Sequence, residues 1–442
     1  MYSNKALRRL LLPLMADQIL MSLMGLADTI MVSNVSAASL SAVSLVDAIN
    51  VLVLYLFAAL ATGGTVVCAQ YIGTGDKNAA GNAARQLMMA VLALSLVLSV
   101  VSIAFRGGLL RLIFGAVDDD VMAAAKSYYL ITAMSYPCIA LYNASASLFR
   151  AAGNSRLPML VTLGTNVINI AVNAALIFGF RLGVEGAALS TLISRAAGTA
   201  ALLVLQRRPG QDITLEKVLA YRPDMKIIRK ILFVGIPAGI ENCLFQLGKL
   251  MVHSTVSLLG TTAIAVQALT NTLEAFQSMP GIAIGLGLVT VAGTCMGAGK
   301  PEEARRYTLK LTALTYVVLA ASILIVLVLT RPATVLSGMD AQSAGMTFSL
   351  MAFIAVFKVI LWPMAFTPAN GLRAAGDVKY AMLVSVASMW VFRVGLGYFL
   401  CRYTGAGLYG VWIAMFTDWL CRGVLFLVRL LRGAWMQNRL LT

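Results

Sequence analysis

Long apolar runs separated by short polar segments dominate the chain, and "LMMAVLALSLVLSVVSIAF" is typical of them. Roughly 20 apolar residues in a helix cross a bilayer core about 30 Å thick. Runs of that length recur at approximately 8–33, 42–71, 85–106, 122–147, 157–180, 185–206, 229–259, 265–296, 305–330, 344–370, 378–401 and 407–431. The pattern predicts an all-α integral membrane protein with about 12 transmembrane helices. One long polar connection, "RRPGQDITLEKVLAYRPDMKII" at 207–228, separates six spans from six. We expect an N-lobe at 1–206, a cytoplasmic linker at 207–228 and a C-lobe at 229–442.

The two halves share landmarks at one offset. Pro13 in "LLLPLMADQ" returns as Pro237 in "VGIPAGIEN". Gly73 and Gly75 of "GTGD" return as Gly297 and Gly299 of "GAGK", and the "RAAG" that begins at Arg150 returns at Arg373. Gly183 and Gly186 match Gly407 and Gly410. Order and offset agree within one residue, so the chain is an internal repeat. Six spans per half give both halves the same orientation, as in parallel-repeat transporters, with a site between the halves or inside one of them. For the "RAAG" loops the simplest role is a basic anchor followed by a helix-ending glycine.

Composition agrees: 60% of residues are hydrophobic and 12% charged, against about 25% charged in soluble domains. The net charge of +16 does not indicate nucleic acid, because no dense basic tract with interleaved aromatics is present. Most basic residues fall between spans on one side, while Arg106, Arg111, Lys126, Arg181, Arg331 and Arg402 fall on the other. That bias predicts a multi-pass protein of the plasma (inner) membrane with both termini cytoplasmic, in contact with bilayer lipid and its anionic headgroups. The N-terminus reads as an uncleaved first span. Six scattered cysteines and a lone His253 provide neither a disulfide framework nor a zinc site. They also exclude a Ser/His/Asp or Cys/His set, so no enzyme is expected. The acidic run Asp118 to Asp120 reads as a solvated outer loop. No repeated pore-loop sequence suggests a channel.

Acids inside spans are costly and therefore candidates. Asp17 and Asp28 share the first span; eleven residues is nearly three turns, which puts both on one face roughly 16 Å apart. Met21 and Met24 lie along that stripe, and methionine suits varied apolar ligands. Asp17 is also near enough to the cytoplasmic end to be simply solvated. In the repeat, Asp17 stands four residues after Pro13 and Glu241 four after Pro237. The second spans carry Asp47 with Asn50 and, at the same offset, Asn271 with Glu274. Asn166, Asn169 and Asn173 line the fifth span, the last two on one face. Such amides either serve a site or hydrogen-bond neighbouring helices. In the C-lobe, Asp418 and Arg422 read as a structural ion pair, and Lys249 or Lys358 could neutralise Glu241 or Glu274. Pro280 with Gly281, Gly285 and Gly287 marks either a bendable eighth span or close helix packing.

Pro13, "GLADTIMVSNVSAASLSAVSLVDAINVL", "GTGD", "FRAAGNSRLPM", "NVINIAVNAALIFGF", "GVEGAALSTLISR" and "GIPAGIEN" together resemble the multidrug and toxic compound extrusion (MATE) transporters, along essentially the whole chain. The resemblance implies two six-helix lobes in a V and secondary antiport of organic, often cationic, amphipathic compounds against protons or sodium, by a monomer with no organic cofactor. It implies that Asp28 belongs to the cation-responsive cluster, and is the candidate sodium ligand, with Asn169, Asn173 and Thr191 as its companions. Pro13 corresponds to the helix-bending proline of the first span. Asn173 stands where some relatives have a second acid, and Trp362 is nearest to an acid of the tenth helix in others. The implied cycle has Asp28 take up the ion outward, rearranging these bonds and the bend of the first helix, while the drug leaves. A lipid-linked oligosaccharide flippase of the same superfamily is the alternative.

Overall fold

In a computed structural model, all residues are described except 116, 209–212, 214–221, 439 and 442. Most of the 207–228 linker, with Lys217, and Arg439 at the C-terminus therefore lie outside the described residues. Among those described, helices alone form the secondary structure. In chain order they are α1 Asn4–Ser33, α2 Ala37–Thr74, α3 Lys77–Ala104, α4 Arg106–Phe114, α5 Asp119–Met134, α6 Tyr136–Ala151, α7 Arg156–Ala174 and α8 Gly183–Gln206. After the linker come α9 Met225–Ser257, α10 Thr261–Gly297, α11 Pro301–Leu336, α12 Ala341–Ala374, α13 Val378–Ser388, α14 Gly397–Tyr403 and α15 Gly407–Arg432. The α-helical ladder widens into a π segment at Ala175–Gly179, after α7, and at Met389–Leu396, between α13 and α14.

Among the described residues, eleven helices are long and apolar enough to cross a membrane. The chain is a multi-pass membrane protein. Along the middle of α11, Val317, Leu324, Ile325 and Val328 are all exposed, one helical stripe of bare hydrocarbon. Water does not tolerate such a surface; lipid does.

The exception is the expected fourth span at 122–147, which is two helices meeting at Ser135. Pro137 lies in the first turn of α6. Proline has no N–H to return to the preceding turn, and its ring crowds the carbonyl four residues back. Elsewhere proline is accommodated: Pro13, Pro237 and Pro280 all lie inside continuous helices.

The chain forms two compact units, Ser3–Gly239 and Ile240–Thr442 with Met1–Tyr2, which part within α9. In the first unit α1 packs on α7, α7 on α8, and α2 on α3, α5 and α6. In the second, α10, α11 and α12 pack on one another and α15 on α12.

The repeated loops fold alike. After Arg150 the chain closes with Gly153 N–H on the Arg150 carbonyl and Asn154 N–H on that of Phe149. After Arg373 it closes with Gly376 N–H on the Arg373 carbonyl and Asp377 N–H on that of Leu372. The glycines have φ of +78° and +87°, a left-handed conformation in which a side chain is strained. The helix-ending role expected of "RAAG" is observed in both halves.

Glycine also sets how closely helices approach. A β-carbon on Gly63 of α2 would strike the Ile231 carbonyl and the Gly235 backbone of α9, whereas one on Gly164 of α7 meets nothing within 4 Å. Gly281 and Gly285 of α10 similarly face the Trp362 ring and the Asn370 amide of α12. For these two residues the structure supports the close-packing reading. Gly63→Ala should lower stability by about 1–3 kcal/mol through overpacking, while Gly164→Ala leaves it unchanged or slightly raised. Thermal unfolding of both variants in detergent micelles checks the contrast.

Candidate functional site

The polar centre of the first unit is built where α1 meets α7. Ser155 Oγ donates to the Leu10 carbonyl (2.5 Å), Thr162 Oγ1 to Asp17 Oδ1 (2.6 Å) and Asn173 Nδ2 to Asp28 Oδ1 (2.6 Å). Each pair is separated by 145 residues. A constant offset over about five turns means that the helices run parallel and in register, as two odd-numbered spans must. Asn166 Nδ2 adds a bond to the Leu20 carbonyl (2.7 Å).

From Asp28 the bonds continue inward. Asn173 Nδ2 also reaches Asn169 Oδ1 (3.2 Å), and Asn169 Nδ2 reaches Ser190 Oγ (3.4 Å) and Ser194 Oγ (3.5 Å) on α8. Ser190 Oγ in turn donates to the Asn169 carbonyl (2.9 Å). Asn169 and Asn173 are fully buried and Asp28 half-buried. Two residues after Asn173, at Ala175, the helix enters its π turn, a distortion frequent at functional positions.

Thr191, buried beside this chain, turns its hydroxyl back to the Ala187 carbonyl of its own helix and does not join it. Asn173 Oδ1 is buried and without a partner. An ion near Asp28 would find one carboxylate, this free amide oxygen and nearby hydroxyls, which fits a weakly held monovalent cation. A protonated Asp28 could equally donate to that oxygen once the amide turned over.

Met21 and Met24 line a cavity of about 400 Å³ in the same unit, with Tyr55, Tyr142, Asn166 and Arg195. Its size falls in the range of drug-sized pockets, which begin at roughly 300 Å³. Asp17, 4% exposed, communicates with it through Thr162, whose hydroxyl also meets that of Tyr142 (2.7 Å). Asp17 is thus buried and bonded, not solvated. Arg195 donates to Ser135 Oγ (2.7 Å), at the break in the fourth span. Asp47 and Asn50 of α2 bond each other (3.2 Å), and Tyr136 donates to Asn50 Oδ1 (2.9 Å). Asp47 lies within electrostatic reach of Asp28, and Arg195 acts on both.

The acids of the second unit have cationic partners. Arg373 Nη2 lies 2.6 and 2.8 Å from the two Glu241 oxygens. Lys358 Nζ lies 2.6 Å from Glu274 Oε1, which also accepts from Ser278 Oγ (2.9 Å). The expected neutralisation therefore occurs, but Glu241 is held by Arg373, beyond a simple anchoring role for that residue, and not by Lys249 or Lys358. Asn271 is exposed and accepts from Gln267 (3.1 Å). Asp418 pairs with Arg422 as expected, and Arg393 joins at 2.9 Å.

Several partners escaped the sequence. Ser190 and Ser194, spaced i, i+4 on α8, carried a signal; Thr162 and Tyr142 carried none beyond being polar within apolar runs.

Helices long enough to span a bilayer, a repeated half and a buried carboxylate–amide chain define a membrane-transporter architecture. The MatE family model matches the chain twice, over residues 13–175 and 237–399, so the chain belongs to the MatE family. The two matches begin at Pro13 and Pro237, the same repeat seen in the sequence. The uncharacterized transporter YisQ of Bacillus subtilis (strain 168) is 29% identical over 433 residues, 96% of this chain and 94% of that one. The probable multidrug resistance protein NorM of Thermotoga maritima is 28% identical, over 99% of this chain and 94% of its own. The fold is that of a multidrug resistance MATE family transporter of the MOP superfamily solved in an outward-facing conformation. Their TM-score is 0.92 at 22% identity, over 98% of this chain and 97% of that one.

Removing one member of a buried ion pair strands the other, at a cost of about 3–5 kcal/mol. Lys358→Met should therefore destabilise the protein by that order, and the double variant Glu274→Gln/Lys358→Met should regain most of the loss. A double-mutant cycle read by thermal unfolding in micelles checks it.

Proposed function

We propose that the chain is a secondary active exporter of organic, often cationic, amphipathic compounds, driven by inward exchange of protons or sodium ions. The observation that carries this reading is the Asp28 carboxylate. It is half-buried within a membrane span and bonded to the neutral amide of Asn173, with the Arg195 guanidinium in electrostatic reach, so an amide dipole and that cation together stabilise its charge. Uptake of a proton or sodium ion changes its charge and its claim on that amide. The names of relatives such as the Thermotoga maritima NorM support drug export.

Compound would bind in the cavity lined by Met21, Met24, Tyr55 and Tyr142. Aromatic faces and thioethers attract cationic and apolar groups of many shapes, while Arg195 disfavours cations at its own end. Asp17, Thr162 and Asn166 connect this cavity to the α1–α7 seam that also holds Asp28. Ion and compound then act on one helix pair, and exchange requires only that they favour different states of it.

The test is efflux of a fluorescent organic cation from proteoliposomes, with sodium and proton gradients imposed separately. Wild type should respond to one gradient, which identifies the ion, and Asp28→Asn should lose at least about ten-fold in rate, within the usual span of coupling energies. An Asp28→Asn protein that pumps normally would exclude Asp28 as the ion site.

The side richer in basic residues, which includes Arg8, Arg9, Arg150, Lys300 and Arg305, we assign to the cytoplasm, with both termini. Alkaline phosphatase fused after Thr442 should then be inactive in cells; an active fusion would invert the topology.

A further inference from the structure

The interior of the second unit has an excess of positive charge. Asp418 is fully buried and is the one carboxylate shared by two buried guanidiniums, Arg393 Nη2 (2.9 Å) and Arg422 Nη2 (2.9 Å), with Ser388 Oγ at 2.7 Å. The Phe245 ring lies 5.0 Å from Arg393, 5.6 Å from Arg422 and 5.5 Å from the Lys249 ammonium. Lys358–Glu274 and Arg373–Glu241 are each internally balanced. Two guanidiniums to one carboxylate leave a positive charge uncompensated in a low-dielectric interior, where a lone charge is costly.

A cavity of about 150 Å³ opens beside that charge. Trp362, Phe366 and Ala369 form its apolar wall, and Asn370, Ser385 and Arg422 its polar one. Trp362 and Phe366 stack at 4.8 Å, and Arg422 sits over the Phe366 ring at 5.2 Å. The Glu241–Arg373 pair lines the cavity too, its carboxylate already engaged by Arg373. Ser385, 1% exposed, has a hydroxyl with no partner, and Arg422, 2% exposed, has an unpartnered Nε–H. Buried donors are rarely left unmatched. At about half the size at which drug-sized pockets begin, the cavity suits a small ion or one end of a larger molecule.

We propose that this cavity is an anion site for a small carboxylate group, received by Arg422 and Ser385 against the Trp362–Phe366 wall. A guanidinium and a hydroxyl are both donors to carboxylate oxygens, and the bound charge offsets the excess of the Arg393–Asp418–Arg422 cluster. The group arrives as a free small anion or as the acid end of a transported compound. The site lies in the unit that does not contain Asp28, and binding there is read without transport.

The experiment is equilibrium binding of radiolabelled propionate to the purified full-length protein in micelles. Unlabelled propionate, benzoate, chloride and tetramethylammonium serve as competitors. Binding should saturate and yield to benzoate but not to tetramethylammonium. Chloride competing as well as benzoate would overturn the carboxylate assignment. Benzoate competing far better than chloride supports it: competition equal to that of unlabelled propionate makes the occupant a free small carboxylate, and stronger competition makes it the acid end of a larger molecule.

Arg422→Met removes one of Asp418's two cationic partners and the bond to the Ser385 carbonyl and invites misfolding, so two milder variants decide. Ser385→Ala removes a hydroxyl that has no partner, and Ala369→Leu fills the cavity. Each should weaken propionate by about ten-fold or more, the order of a hydrogen bond to a charged group. No saturable binding by wild type, displacement by tetramethylammonium, or wild-type affinity in both variants would overturn the proposal.

Discussion

A carboxylate buried in a membrane protein needs something to answer its charge, and the two halves of this chain answer it with different chemistry. In the first unit Asp17 and Asp28 receive a hydroxyl and an amide. In the second, Glu241, Glu274 and Asp418 receive arginine and lysine. Dipoles stabilise a charge without cancelling it, so the group stays open to a proton or a cation. A close cation cancels it, and removing either partner is costly. One repeat thus yields a half whose acids are hydrogen-bonded to neutral groups and a half whose acids are ion-paired.

The positions descend from the same pattern. Asp17 and Glu241 follow their prolines at the same distance, and Arg150 and Arg373 open matching turns. In the second unit Arg373 closes on Glu241. In the first, Asp17 instead accepts from Thr162 (2.6 Å), with Arg150 within electrostatic reach. The π segments follow the same logic. One begins two residues after Asn173, and the other contains Arg393. Each half widens its helical ladder beside the polar group on which its chemistry depends, which frees a side chain from the regular spacing of the helix.

Much of this was legible because it is local. Span length and hydropathy follow from bilayer thickness. The turn glycines follow from the left-handed φ that Gly153 and Gly376 adopt. The register of α1 on α7 was half visible: Asp17 and Asp28 are spaced to share a face, as are Asn169 and Asn173. What the sequence withheld was long-range. Nothing local says that Arg373 meets a glutamate 132 residues earlier or that Arg393 joins Asp418. The break at Ser135 had a signal in Pro137, but Pro13, Pro237 and Pro280 sit inside unbroken helices. Proline alone does not decide; the packing around it does.

Under the function proposed above, the parallel seam between α1 and α7 would give the first unit a means of turning ion uptake into a change of fit. Asp17, Leu20 and Asp28 tie α1 to Thr162, Asn166 and Asn173 of α7 over three turns. Only the two outer ties involve a charge. The amide at Leu20 keeps its bond whatever the state of the carboxylates, and acts as a fixed point. If Asp28 is neutralised, its bond to Asn173 loses the ionic contribution that makes such bonds roughly twice as strong as neutral ones. The C-terminal end of α1 is then freer to part from α7 than its middle. Met21 and Met24, which line the cavity, lie between the fixed point and that end. On the proposed function, a change of charge at Asp28 would therefore be felt at the cavity wall through one helix, with no contact needed between the ion and the compound.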